Sequence, residues 1–267
     1  MLRRVPFTLA HPAAVLPLVR RPLIASALVA GSVAPDLLYL DPLYRFATRE
    51  IHGNLTLTLT HKLTSVLWLD PLLALILLAT FTLVLKRPLL ALAPASLAAR
   101  LPSPGTAVRL PSLVVLFWIV VSTVIGAFTH VLWDSFTHYD GYFVQRYRDF
   151  FAGDVNRVLQ YVSTVGGCVV LAIWCYRWFR RTEPRLVEPR DQVPSWARYV
   201  VLGAMVAIGL TGAVVQVQRA GEDLVGEAVA RFALTGLASG VVAALGWYVV
   251  LWHLTRLRRL RGGVARP

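Results

Sequence analysis

The sequence predicts an all-α fold: a polytopic integral membrane helical bundle of about five full spans plus a short N-terminal helical hairpin. Three observations predict it. Hydrophobic residues make up 57% of the 267, only 15% are charged, and mean hydropathy is +0.61, a balance far outside that of water-soluble domains. Five apolar runs each approach the ~20 residues a helix needs to cross a bilayer. The 27 Lys+Arg, against 14 Asp+Glu, are spread unevenly along the chain. A net charge of +13 placed this way reads as membrane topology, so no nucleic-acid partner is expected.

The whole chain, 1–267, reads as a single membrane-embedded domain, and its elements follow in order. Residues 5–19 form a short apolar piece containing His11, closed by Arg20, Arg21 and Pro22. Residues 23–34 form a second, ending in Pro35 and Asp36. Neither is long enough to span alone, so residues 5–40 are expected to make a re-entrant or tilted helical hairpin. Pro6, Pro12 and Pro17 interrupt any signal-peptide pattern, and the N-terminus is expected to stay uncleaved. Residues 36–62 are polar and broken; here His52 sits in a Gly-Asn turn and reads as a loop residue. The spans fall near 63–85, 110–133, 158–179, 196–217 and 228–254, followed by a basic tail at 255–267. Asp70-Pro71 interrupts the first span, where a carboxylate reads either as a proton relay or, more cheaply, as the cap of a kinked helix. Residues 88–110 read as a surface helix and linker. Cys168 and Cys175, seven apart within one span, stack two turns apart on one face and imply no disulfide.

Basic residues orient the bundle. The loops at 86–110 and 177–198 and the tail from 255 carry fifteen Lys/Arg against three acids. The alternate loops at 35–62, 134–157 and 217–227 carry seven against ten. By the positive-inside rule the first set, and with it the C-terminus, faces the cytoplasm of an inner (cytoplasmic) membrane. His61, His130 and Asp134 then share the outer boundary, and Asp36 joins them if the hairpin ends outward.

The chemistry concentrates in Thr129–Gly141, which holds two histidines and two aspartates. In a helix, His130 and Asp134 are four apart and point the same way, so both can bind one metal ion. Interfacial decoration is the bland account of one such pair, but His11, His61 and His138 also border apolar segments. His61, His130 and His138 each follow a threonine, and a hydroxyl or backbone carbonyl can hold the second ring nitrogen and fix the tautomer. Imidazole with carboxylate and no thiolate suits Zn²⁺, or Fe²⁺ and Mn²⁺ in a more oxygen-rich site. A helix running on through His138 would carry it ~12 Å beyond His130, outside that coordination sphere; a break near Ser135 would bring it back. By contrast, His253 beside the arginine-rich tail reads as structural.

Pro6-Phe-Thr-Leu-Ala-His-Pro12, Gly31-Ser-Val-Ala-Pro-Asp36, Thr60-His61, Gly126 through His138 and Leu159 through Thr164 together resemble one bacterial membrane family, domain of unknown function 4184. The resemblance covers roughly residues 5–255. A more distant similarity is to the inner-membrane proteins labelled metal-dependent hydrolases. It rests on an early His, a Pro-Asp, a Thr-His opening a span, and H-x-x-x-D-x-x-T, which fall here on His11, Asp36, His61, His130, Asp134 and Thr137. Lys62, following His61, departs from the small residue usual there.

What this resemblance implies is a divalent metal, Zn²⁺ first, held by His11, Asp36, His61, His130 and Asp134. Water activated there would attack an ester or phosphoester of a lipid-like substrate. Asp134 or Asp36 is the candidate general base, His138 the proton carrier, and Lys62, Arg146 and Arg148 the candidate phosphate contacts. An alternative keeps the acids: Asp36, Asp41, Asp134 and Asp140 holding Mg²⁺ on a prenyl diphosphate, with an isoprenoid sheltered by the nearby aromatics. A third reading is a non-enzymatic transporter or structural membrane protein.

Overall fold

The computed structural model describes residues 10–40, 43, 57–102, 111–185, 193–221 and 225–264. Helices dominate them, and no strand occurs among the described residues. Among the described residues, five helices are long and apolar enough to cross a membrane: Leu69–Leu92, Leu113–Arg146, Val155–Arg181, Ser195–Ala220 and Ala228–Arg259. Two of them, Val155–Arg181 and Ser195–Ala220, have only 6% of their apolar window covered by protein. Apolar surface left open on that scale requires lipid as its solvent. The chain is a multi-pass membrane protein.

Contacts divide the fold into two units. The first gathers the described residues of Met1–Tyr39, Leu43–Ala79 and Ala107–Arg181. It starts with α1 (Pro12–Val15), whose proline stands at the first helical turn, where its missing N–H costs nothing. α2 (Ala25–Val33) follows and tightens into a 3-10 turn, Ala34–Tyr39, at Pro35. After α3 (Leu57–Thr60) and a 3-10 turn at Ser65–Leu67 comes α4 (Leu69–Thr80). Thus the first span starts at Leu69 rather than 63, because Asp70-Pro71 opens the helix instead of interrupting it. Asp70 is buried in the first turn and accepts from the Ser65 hydroxyl at 2.8 Å, where a carboxylate also meets the positive end of the helix dipole.

Beyond α4, a π turn (Phe81–Leu85) leads into α5 (Lys86–Leu92), and α6 (Ala95–Ala98) follows, so the first span passes straight through Lys86-Arg87-Pro88. The second span is α7 (Leu113–Thr137), capped by the Ser112 hydroxyl and succeeded by short α8 (Tyr142–Arg146); the third is α9 (Val155–Arg181). α2 and α7 approach through glycines. A Cβ on Gly31 would run into the Thr123 carbonyl, and one on Gly126 into the Leu28 carbonyl. Small residues at such a crossing are how helices gain contact where lipid offers no hydrophobic drive. The Ile24 N–H donates to the Ser122 hydroxyl at 2.9 Å and so ties the start of α2 to α7. Ala30 and Ala34 pack on Ala74, and Val66 on Ala127 and Val131.

The second unit includes α5, α6, α10 (Ser195–Ala220) and α11 (Glu227–Val264). Here too glycines mesh: Gly212 lies against Gly236, and Gly240 against Ile208. Pro88 offers no N–H to the Val84 carbonyl four residues earlier, and His253 Nε2 donates to that carbonyl at 3.0 Å. Tyr248 in turn donates to the Pro88 carbonyl at 2.9 Å. His253 therefore has a structural partner in the Val84 carbonyl. The basic tail is not a separate extension, since α11 continues through Arg256–Arg261 to Val264.

Candidate metal centre

Four side chains from three parts of the first unit meet at one point. Asp36 comes from the 3-10 turn after α2, His61 from the residue after α3, and His130 with Asp134 from one face of α7. One ligand atom of each lies within 4.8 Å of the others. His61 Nε2 stands 3.2 Å from Asp36 Oδ1 and 3.3 Å from Asp134 Oδ2. His130 Nε2 stands 3.5 Å and 3.3 Å from the same two oxygens, and 3.4 Å from His61 Nε2. A tetrahedron with bonds of about 2.0–2.1 Å has edges of about 3.3–3.4 Å. Five edges of the cluster, from 3.2 to 3.5 Å, come within about 0.1 Å of that range.

Hydrogen bonding agrees with that reading. His130 Nδ1 lies 2.7 Å from the Ser32 carbonyl, which can only accept, so Nδ1 carries the proton and Nε2 faces the cluster. The Thr60 hydroxyl donates to the Pro35 carbonyl at 2.9 Å and is left to accept from His61 Nδ1 at 3.2 Å. Both rings therefore present Nε2 inward with the tautomer fixed from behind. All four carboxylate oxygens of Asp36 and Asp134 are buried without a hydrogen-bond donor in bonding geometry. Buried carboxylates are rarely left so, and a shared cation satisfies oxygens and nitrogens together. The donor set fits a divalent ion.

His11 and His138 flank the four. The His11 ring stacks on His130 with centroids 3.7 Å apart, and its Nε2 lies 3.6 Å from Asp134 Oδ1 and 4.0 Å from Asp36 Oδ2. These are the oxygens turned away from His61 and His130. His138 is not carried ~12 Å outward, as a continued helix would have carried it. α7 stops at Thr137, His138 turns extended (ψ 143°), and its Nδ1 folds back to 3.2 Å from the Asp134 carbonyl and 3.5 Å from Asp134 Oδ1. The Thr137 hydroxyl is a third acceptor at 3.2 Å, so Nδ1 bears the proton. Nε2 then faces the Gln160 amide nitrogen at 3.5 Å. Of the three threonines preceding histidines, Thr60 and Thr137 serve their neighbours, whereas Thr129 donates to the Gly126 carbonyl.

Charge is unevenly shared. Burial, then the neighbouring His130, pushes His11 down to about 4. Burial also opposes the His61 cation, but the Asp134 and Asp36 carboxylates outweigh it and raise His61 to about 9. Burial would raise Asp36, yet His130, His61 and His11 hold it well below the usual carboxylate range. Without an ion, the proton on His61 offsets part of the carboxylates' charge.

The remaining candidates lie apart. Lys62, Arg146 and Arg148 are exposed; Arg146 sits over the Tyr147 ring and Arg148 bonds Gln145. Asp140 is exposed, while Asp41 and His52 fall outside the described residues. Asn156 and Gln160, both buried on α9, escaped the sequence reading of the site. Their signal was an amide inside an apolar span, which needs a polar partner as much as a charge does.

Fold and site define a class: a polytopic helical membrane protein with a buried His/Asp cluster that can hold a metal ion. The sequence matches the family described as "Domain of unknown function (DUF4184)" over residues 5–250. The chain belongs to that family. No curated protein and no solved structure matches it.

Proposed function

We propose that this chain is a membrane-embedded, metal-dependent hydrolase acting on an ester or phosphoester of a lipid-like substrate at the outer boundary of the cytoplasmic membrane. The observation that carries the reading is the near-tetrahedral set of Asp36, His61, His130 and Asp134, in a chain with five described helices long and apolar enough to cross a membrane. Two imidazoles with two carboxylates favour Zn²⁺ over Mg²⁺, which prefers oxygen donors and retained waters. When bound, such an ion lowers the pKa of water to about 7 and polarises a carbonyl or phosphoryl oxygen.

The protein's own groups supply the rest. Asp134 accepts on one side of the centre, and His138, fixed through Nδ1 on Asp134, offers Nε2 as the site that takes up a proton and returns it to the leaving group. Exposed Lys62, Arg146 and Arg148 are the phosphate contacts of this reading. The basic loops and tail support a cytoplasmic C-terminus. The deciding experiment is metal analysis of purified full-length protein beside hydrolysis of short-chain lipid esters and phosphoesters. Bound zinc with activity lost in His130→Ala supports the reading; a metal-free preparation that binds Mg²⁺ only with a prenyl diphosphate would replace it. A C-terminal reporter active outside the cytoplasm would move the site to the other face.

A further inference from the structure

The four carboxylate oxygens divide into two pairs. Asp36 Oδ1 and Asp134 Oδ2 face His61 and His130, and they complete the first set. Asp36 Oδ2 and Asp134 Oδ1 point the other way, are equally buried, and likewise lack a donor in bonding geometry. One ion in the first set leaves that second pair unanswered. What faces it is the His11 ring nitrogen, 7% exposed as a residue, at 4.0 Å and 3.6 Å. His138 Nδ1 also lies 3.5 Å from Asp134 Oδ1, but its N–H is directed at the Asp134 carbonyl and the Thr137 hydroxyl, so it does not answer that oxygen.

We infer that the centre is dinuclear: a second divalent cation sits between His11 Nε2, Asp36 Oδ2 and Asp134 Oδ1, with both aspartates bridging the two ions. This rests on the metal reading above and adds to it. The first set has four protein donors and takes up a water only by expanding to five-coordinate, whereas the second has three and leaves a position open for the water or substrate of the hydrolytic reading, as catalytic zinc sites do. Carboxylates that bridge in this way hold ions about 3.5–4 Å apart, the spacing of two-metal hydrolytic centres. Stacking on His130 sets the His11 ring, and Gly167 on α9 leaves room for Ala10, the residue before His11, where a Cβ would come within 3.0 Å of the Ala10 methyl and carbonyl. The second ion thus draws on the chain's beginning, which the first does not need.

The test uses full-length protein in detergent, stripped by a chelator and reloaded. Wild type should bind two equivalents of Zn²⁺ and, loaded with Mn²⁺, give an exchange-coupled paramagnetic resonance spectrum. His11→Ala and His11→Gln should each keep one equivalent and show an uncoupled signal, with elution volume and helical circular dichroism like wild type. One equivalent in wild type, unaltered by His11→Ala, would overturn the dinuclear centre while leaving the metal reading intact. Two uncoupled equivalents would also overturn it, by placing the second ion elsewhere. No bound metal would remove both. If the His11 variants fail to fold, the wild-type stoichiometry and coupling still decide.

Discussion

The two units solve one packing problem and put it to different uses. α10 and α11 close on each other through Gly212 and Gly236, and the approach brings backbone to backbone, with Gln216 beside it. α2 and α7 close through Gly31 and Gly126, and the same approach sets the Ser32 carbonyl 2.7 Å from His130 and Asp36 next to Asp134. Glycine crossing is therefore a general device here, and chemistry arises only where the residues flanking it are His and Asp.

The largest break in that contrast should come from Asp134→Ala. We expect loss of bound metal and of turnover together, by metal analysis and assay, with the helices retained. Gly126→Ala ranks next, because the added carbon meets backbone that cannot step aside; overpacking costs about 1–3 kcal/mol. Its expected signature is lowered thermal stability with weakened metal binding. Gly236→Ala should lower stability comparably and leave metal affinity at the wild-type value. Equal metal loss in both glycine variants would erase the distinction between the units.

His138→Ala should keep its metal and lose about 10²–10⁴-fold in turnover, the usual effect of removing a positioned proton carrier. Loss of metal instead would make His138 a ligand. Next in size is a pH effect. Raised to about 9, His61 in the metal-free protein carries a stabilising proton, whose contribution is complete below about 6.5 and is lost as pH rises through about 9. An arriving ion must displace it, so apparent affinity should climb up to about tenfold per unit between pH 6 and 8. Isothermal titration in two buffers of different ionisation enthalpy would count the proton, and a flat profile would remove it. Smallest is His253→Ala, expected to cost about 1 kcal/mol by orphaning the Val84 carbonyl, with no change in metal content.

Much of this was legible because hydropathy and the i,i+4 rule act locally. Five spans, and His130 with Asp134 on one face, follow from spacing alone. What spacing cannot show is where a helix yields to its side chains. Asp70-Pro71 looked like an interruption and proved to be a beginning, since Ser65 reaches back to the carboxylate. His138 looked distant because the helix signal ran on to the Asp140-Gly141 turn. Its ring folds back because α7 ends at Thr137 and the extended backbone of His138 aims the ring at the Asp134 carbonyl. Gln160 was passed over because its partner lies in another segment, 22 residues away.

The cluster also bears on how the chain is tied together. Cys168 and Cys175 are both unbonded, so no covalent cross-link joins these segments. An ion held by His61 and His130 would link residues 69 apart in sequence, a loop closure of the kind a disulfide makes by shrinking the freedom of the unfolded chain. Unlike a disulfide, that tie answers to metal supply rather than to redox state. Scarcity of the ion would then reach this protein first as slackness between α2, α3 and α7.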